Sequence, residues 1–152
     1  MKSRINKCIS NSVENYQRVL NDEILQENIE NIVVKSVEAF RNDKKMLFCG
    51  NGGSASDAQH IAAELVGRYK VERNGLRAIA LTTDTSAITS IGNDFGYNHI
   101  FDRQVEALAN KGDLAIGIST SGNSINVINA LKVASKLSCN TIGFSGQHSG
   151  EM

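Results

Sequence analysis

Two residues with the side chains for acid–base or metal chemistry stand one helical turn apart. They are His60 and Glu64, in the run SASDAQHIAAE over positions 54–64. Side chains at i and i+4 meet at one point on a helix surface. An imidazole and a carboxylate placed there could hold a divalent cation, and the carboxylate could serve as a base. The same pair also fits an ordinary solvated helix face, and spacing alone leaves both readings open. Just upstream lies Gly50-Asn51-Gly52-Gly53, a turn whose backbone can approach a ligand because glycine has no Cβ. Ser54 reads as the N-cap of the following helix, with Asp57 in support. Free N–H groups and a partial positive charge at that helix start suit a phosphate or another oxygen-rich ligand. A second polar loop is Ser119-Thr120-Ser121-Gly122-Asn123-Ser124, with four hydroxyls in six residues. Hydroxyls and open N–H groups ahead of a helix can hold a phosphate without a lysine. An ordinary serine-rich turn is the plainer alternative.

Elements with two different periods must position these loops. Met46–Cys49, Arg77–Leu81, Leu114–Ile118 and Cys139–Phe144 are short apolar runs that read as buried strands. Between them, Ala58, Ile61, Ala62 and Leu65 form the apolar face of a helix running to Arg68, with Asp57, His60, Glu64 and Arg68 on a separate polar stripe. A short helix is expected over 87–91, a glycine-bounded loop over 92–97, and a helix over 100–110 with Phe101, Val105 and Leu108 inward. A further helix follows Ser124 to about Leu137, with Val127, Ile128, Leu131 and Ala134 facing the core. Residues 3–20 and 22–41 read as two long helices ahead of the first strand. This alternation predicts an α/β/α sandwich on a parallel sheet, with the loops 50–54, 82–86 and 119–124 at one edge. Two helices exceed what that core requires, so an oligomer is expected to cover them. The last strand runs out with no helix after it, which predicts a C-terminally incomplete domain.

Composition narrows the function classes. Sixteen basic and sixteen acidic residues cancel in 152, so there is no basic excess for a nucleic-acid backbone. No apolar run approaches a membrane span, and the start MKSRINKCIS lacks the apolar core of a secretory signal, which predicts a cytoplasmic protein. Cys8, Cys49 and Cys139 fit neither a zinc knuckle nor a disulfide framework; Cys49 and Cys139 are expected to be small buried hydrophobes. The serine loop lacks the Gly-Lys-Ser/Thr of a nucleotide-binding P-loop. The spacing of Gly50, Gly52 and Gly53 departs from the dinucleotide fingerprint.

GNGGSASDAQH at 50–60, GNDFGY at 92–97 and STSGNS at 119–124 together closely resemble the phosphoheptose isomerases of the sugar isomerase (SIS) superfamily. The resemblance spans essentially the whole chain. It implies a single SIS domain over 1–152, flavodoxin/Rossmann-like, with residues 1–41 as a helical extension packing in the oligomer and 42–152 as the core. It implies interconversion of sedoheptulose 7-phosphate and D-glycero-D-manno-heptose 7-phosphate through an enediol, for bacterial heptose and surface-glycan synthesis. On matching positions, Asn51, Gly52 and Gly53 are implied to contact the sugar. Asn93 and Asp94 would contact its hydroxyls, and Ser119, Thr120, Ser121 and Ser124 would hold the phosphate. His60 and Glu64 would be two of four ligands of one zinc per subunit, and Glu64 also the general base and a substrate contact. The remaining ligands, a Gln and a His on a final helix, are expected beyond residue 152. His99 and His148 are read as surface residues. A homotetramer with sites between subunits is implied, with a sugar phosphate as substrate and neither nucleic acid nor membrane as partner. The rival within the same superfamily is a non-catalytic binder, either of sugar phosphates or associated with a replication initiator. The replication-associated relatives lack a carboxylate at the position of Glu64.

Overall fold

The computed structural model describes residues 1–146 and 150–152. The chain divides into two compact units, 1–36 and 37–152. The first holds α1 (Lys2–Asn21) and most of α2 (Glu23–Arg41). Asp22 alone separates the two helices. Its carboxylate accepts from the Leu25 N–H at 2.9 Å, and the Gln26 amide turns back to the carbonyls of Val19 and Leu20. The junction is therefore capped from both sides. No residue of α1 is buried. Ile5, Ile9, Val13, Tyr16 and Leu20, the apolar positions of its stripe, are each more than half exposed.

The second unit is a parallel four-stranded sheet in the order β2-β1-β3-β4, from β1 (Met46–Gly50), β2 (Ala78–Ala80), β3 (Leu114–Ser119) and β4 (Asn140–Ser145). Right-handed crossovers put α3 (Gly53–Val66) on one face and α4 (Thr85–Phe95), α5 (Asp102–Leu108) and α6 (Ile125–Lys136) on the other. This is the expected three-layer sandwich. Every residue of β1 is buried, and β3 is nearly so. Leu47, Cys49 and Ala115 pack with Phe101, Val105, Val127, Ala130 and Ala134 in one core. The edge strands are thinner: Ile79 and Phe144 are partly exposed. Burial pushes the Cys49 thiol up to about 12 and raises that of the half-buried Cys139, which packs against the core from outside it. Cys8 is exposed. Among the described residues, no helix is long and apolar enough to cross a membrane.

Several local expectations are corrected. Ser54 does not cap α3. Gly52 holds the cap position at φ 56°, a left-handed backbone that glycine adopts without strain, and no side chain caps the helix there. Asp57 therefore has no capping role. The glycine-bounded loop over 92–97 is largely helix, because α4 runs from Thr85 to Phe95 before Gly96 ends it at φ 88°. Its start is set by Asp84, whose carboxylate accepts from the Ala87 N–H at 2.9 Å. The helix expected over 100–110 is a 3₁₀ turn at Tyr97–His99 followed by the shorter α5. On α3, Ala58 and Ala62 are buried while Ile61 is 39% exposed, so the core stripe is narrower than its spacing suggested. Leu108 on α5 is likewise exposed.

Candidate active site

β1 and β3 are neighbours in the middle of the sheet, and their helices leave on opposite faces. The strand order thus reverses between them, which opens a crevice beyond their carboxyl ends. Gly50 lies opposite Ile118 in the parallel register, so the loops that follow, 51–52 and 120–124, start side by side. Gly50 is needed for close packing: a Cβ there would stand 2.8 Å from the carbonyl oxygen of Ser54. The turn folds back so tightly that α3 begins directly over the strand end.

In the serine loop, Ser119 is almost fully buried, and its hydroxyl lies 2.9 Å from that of Ser124 and 3.5 Å from that of Ser121. The Ser121 hydroxyl accepts from the Asn123 N–H at 3.2 Å, and the Gly122 N–H bonds the Ser119 carbonyl at 2.9 Å. Ser124 occupies the cap position of α6 without a side-chain cap bond. Among the described residues, the first N–H groups of α6 (Ile125 and Asn126) have no acceptor, nor do those of the cap residue Gly52 and of Gly53 at the start of α3, whereas the Ser54 N–H bonds the Asn51 carbonyl at 3.0 Å. Two helix starts thus present open donors at one edge, with three of the four predicted hydroxyls joined in a cluster. Thr120 is exposed, and its carbonyl accepts from the Gly146 N–H.

On α3, His60 Nε2 lies 3.7 Å from Glu64 Oε1, with the side chains 75% and 41% exposed. Two cavities flank the pair. One, of about 510 Å3, is lined by His60, Glu64, Leu65, Arg68, Tyr69 and Arg73. The other, of about 280 Å3, is lined by Asp57, His60, Ile61, Ile118 and Phe144, which brings His60 to the end of β3 just before the serine loop. Arg73 closes the far end of α3. Its guanidinium donates to the carbonyls of Glu64, Leu65 and Gly67 at 2.9, 2.8 and 3.1 Å. These are helix-end acceptors left without intrahelical partners.

The structure does not join every predicted residue to this crevice. Asn93 and Asp94 are exposed near the end of α4, where the Asn93 amide donates to the Asp94 carboxylate at 2.8 Å. Among the described residues neither side chain hydrogen-bonds to a ligand loop, whereas the nearby Tyr97 hydroxyl bonds Asn51 Oδ1. His99 is half-buried rather than a free surface residue, and its Nδ1 lies 2.8 Å from Asp102 Oδ2. His148 lies outside the described residues.

Two residues missed in the sequence connect the loops. Asn51 Nδ2 donates to Asn126 Oδ1 and Asn126 Nδ2 donates to Asn51 Oδ1, both at 2.9 Å, while the Tyr97 hydroxyl donates to Asn51 Oδ1 at 3.1 Å. A signal for Asn126 was present. It shares the i, i+4, i+8 stripe with Ala130 and Ala134, and a polar residue on a core stripe needs a partner.

For a metal, His60 and Glu64 are of the right chemistry, since neutral imidazole and carboxylate both bind zinc. Among the described residues no third His, Cys, Asp or Glu joins them, and two donors are fewer than a zinc site takes.

Comparison with known proteins agrees with this architecture. The SIS domain family pattern matches residues 10–146. A phosphoheptose isomerase of Aliarcobacter butzleri (strain RM4018) is 62% identical over 152 residues, covering 100% of this chain and 79% of the relative. That of Clostridium acetobutylicum is 50% identical over 151 residues, covering 99% and 77%. The solved structure of phosphoheptose isomerase GmhA from Neisseria gonorrhoeae superposes with a TM-score of 0.90 at 44% identity, covering 99% of this chain and 77% of that one. A phosphoheptose isomerase from Francisella tularensis superposes at 0.92 with 36% identity, covering 97% and 76%. The chain belongs to the SIS domain family and, within it, to the phosphoheptose isomerases.

Proposed function

We propose that the protein interconverts sedoheptulose 7-phosphate and D-glycero-D-manno-heptose 7-phosphate, an aldose–ketose isomerisation serving bacterial heptose synthesis. The observation that carries this reading is the placing of two open-donor loops at the ends of β1 and β3, with Glu64 on the helix that leaves the first of them. Ser119, Thr120, Ser121 and Ser124, with the open N–H groups of α6, hold the phosphate. Asn51, Gly52 and Gly53 grip the reacting end of the sugar, and Asn93 and Asp94 reach its hydroxyls as the substrate settles. Fixing the phosphate holds the reacting carbons at a set distance from α3. Glu64 takes the proton from C1 of the ketose, the O1 hydroxyl proton passes to O2 in the enediol, and a proton returned at C2 completes the aldose.

His60 and Glu64 also supply two donors to a divalent metal, zinc on the chemistry of the pair, with a Gln and a His as the remaining ligands. When bound, such a metal polarises substrate oxygens as a Lewis acid. The functional unit in this reading is a homotetramer of single SIS domains, with sites shared between subunits, working in the cytoplasm. The apolar residues exposed along α1 support the assembly, because a stripe of that kind normally buries itself against a partner.

The decisive experiment is an isomerase assay on sedoheptulose 7-phosphate with Glu64→Gln beside the wild type, each with added zinc and with chelator. The variant should bind substrate yet lose about 10²- to 10⁴-fold in kcat, the span of a general base. Normal turnover by Glu64→Gln would remove Glu64 from the mechanism.

A further inference from the structure

Asn126 is the second residue of α6 and only 3% exposed. Its Oδ1 accepts from the Val127 N–H at 3.0 Å as well as from Asn51. That N–H, which also bonds the Ser124 carbonyl at 3.0 Å, disfavours a second N–H donor at this distance, so the Asn126 amide points its oxygen there. Its Nδ2 must then face Asn51 Oδ1, which in turn fixes Asn51. Asn51 Oδ1 has two acceptor positions, and both are filled, by Asn126 Nδ2 and by the Tyr97 hydroxyl. Asn51 Nδ2 has two hydrogens, and one is spent on Asn126. Asn51 therefore has one amide N–H left for a ligand and no acceptor.

We propose that Tyr97 and Asn126 are positioning residues which hold the Asn51 carboxamide as a one-way donor toward the sugar oxygen that gains negative charge during isomerisation. The proposal rests on the isomerase reading above. A donor-only group selects a carbonyl or oxyanion over a hydroxyl that needs an acceptor. Two hydrogen bonds into Oδ1 also polarise the amide and strengthen its remaining N–H. Preorganised donors of this kind act most where charge develops. The pair also sets the distance between the reacting end and the phosphate, because Asn126 follows Ser124 by two residues on the helix that starts at the phosphate loop.

The test is steady-state kinetics on sedoheptulose 7-phosphate for the wild type, Tyr97→Phe and Asn126→Asp, with inorganic phosphate as a competitive inhibitor and thermal melting alongside. Tyr97→Phe removes only a hydroxyl from a ring that is 61% exposed. It should lower kcat about 5- to 10-fold, as befits the loss of one hydrogen bond. Asn126→Asp keeps the acceptor but sets an oxygen against Asn51 Oδ1, and should lower kcat about 10²-fold through misplacement of the donor. In Tyr97→Phe, KM and phosphate inhibition should stay within about threefold, since the phosphate loop is untouched. A purely structural role would lower the melting temperature and leave kcat per folded molecule unchanged, and that result overturns the proposal. If Asn126→Asp does not fold, Tyr97→Phe decides alone, and wild-type kcat in it is fatal. A wild type that does not turn over the substrate at all sinks the isomerase reading, and this proposal with it.

Discussion

The two central strands end in opposite ways. At their amino ends, Lys45 and Asp113 meet in a closed, buried pair. Lys45 Nζ lies 2.6 Å from Asp113 Oδ2, with the carboxylate side chain only 2% exposed. The same carboxylate accepts from the Lys45 N–H at 3.0 Å and the Asn110 N–H at 2.7 Å. At their carboxyl ends, Gly50 and Ser119 lead into loops whose first helix-start N–H groups have no acceptor among the described residues. One edge satisfies its polar groups internally and ties β1 to β3. The other keeps donors ready for a ligand. Stability and ligand binding are thus separated along the same pair of strands, and a substitution at one edge should leave the other edge's property alone.

Asp113→Ala should break the closed edge hardest. It removes the partner of a half-buried cation and the acceptor for two backbone N–H groups, and should cost about 3–5 kcal/mol in urea unfolding. Lys45→Met should cost less, because both backbone donors still reach the carboxylate. Burial by itself would push the Asp113 carboxyl up, but the hydrogen bonds from the Lys45 side chain and from the N–H groups of Lys45 and Asn110 outweigh it and hold the carboxyl below the usual carboxylate value. A carboxyl depressed in the folded state contributes its full stability above the unfolded value of about 3.9. That contribution fades as pH falls from there through the folded value. The wild type should lose stability over that acid window, and Asp113→Ala should show less of the loss. Turnover per folded molecule should be unchanged in the variant, and a fall in kcat would show that the two edges are coupled.

The open edge was largely legible in the sequence, and the closed edge was not. Local period and composition mark β1 and β3 as short apolar runs. The glycines at 50–53 and the hydroxyls at 119–124 announce turns before helices, because each signal lies within a few neighbouring residues. Lys45 and Asp113 are 68 positions apart, and Asn51 and Asn126 are 75 apart; neither pairing leaves a local trace. Ser54 misled for a related reason. Residue preference favours serine at a helix start, but the close approach over Gly50 moves the start back to Gly53, where the left-handed Gly52 leads into it. The GNDF stretch misled because its glycine and asparagine weaken a helix without forbidding it, and Asp84 supplies the cap that carries α4 through to Phe95.

Ser124→Ala should break the open edge. It removes the 2.9 Å partner of the buried Ser119 hydroxyl and, in the proposed reading, one donor to the phosphate. KM for the sugar phosphate should rise about tenfold, in line with a hydrogen bond to a charged group at about 1.5–3 kcal/mol. The cost to folding should stay within about 1 kcal/mol, since Ser124 makes no side-chain cap bond. A variant with unchanged KM but a much lower melting temperature would reverse the assignment of roles to the two edges.

The smallest effect separates burial from location. Arg77 and Asp43 also pair at the amino end of the sheet, just before β2 and β1, at 2.9 Å, about as close as Lys45 and Asp113. Their side chains, however, are 62% and 77% exposed. Water screens such a pair, and holding two mobile side chains together costs entropy that cancels much of the attraction. Arg77→Ala should therefore cost less than about 1 kcal/mol, and the difference should shrink further in high salt. If it instead matched Asp113→Ala, position at that edge would be what stabilises the sheet. The predicted gap between the two variants has two causes, since the pair distances are similar at 2.6 and 2.9 Å: water is excluded from Asp113, and Asp113 alone also accepts from two backbone N–H groups.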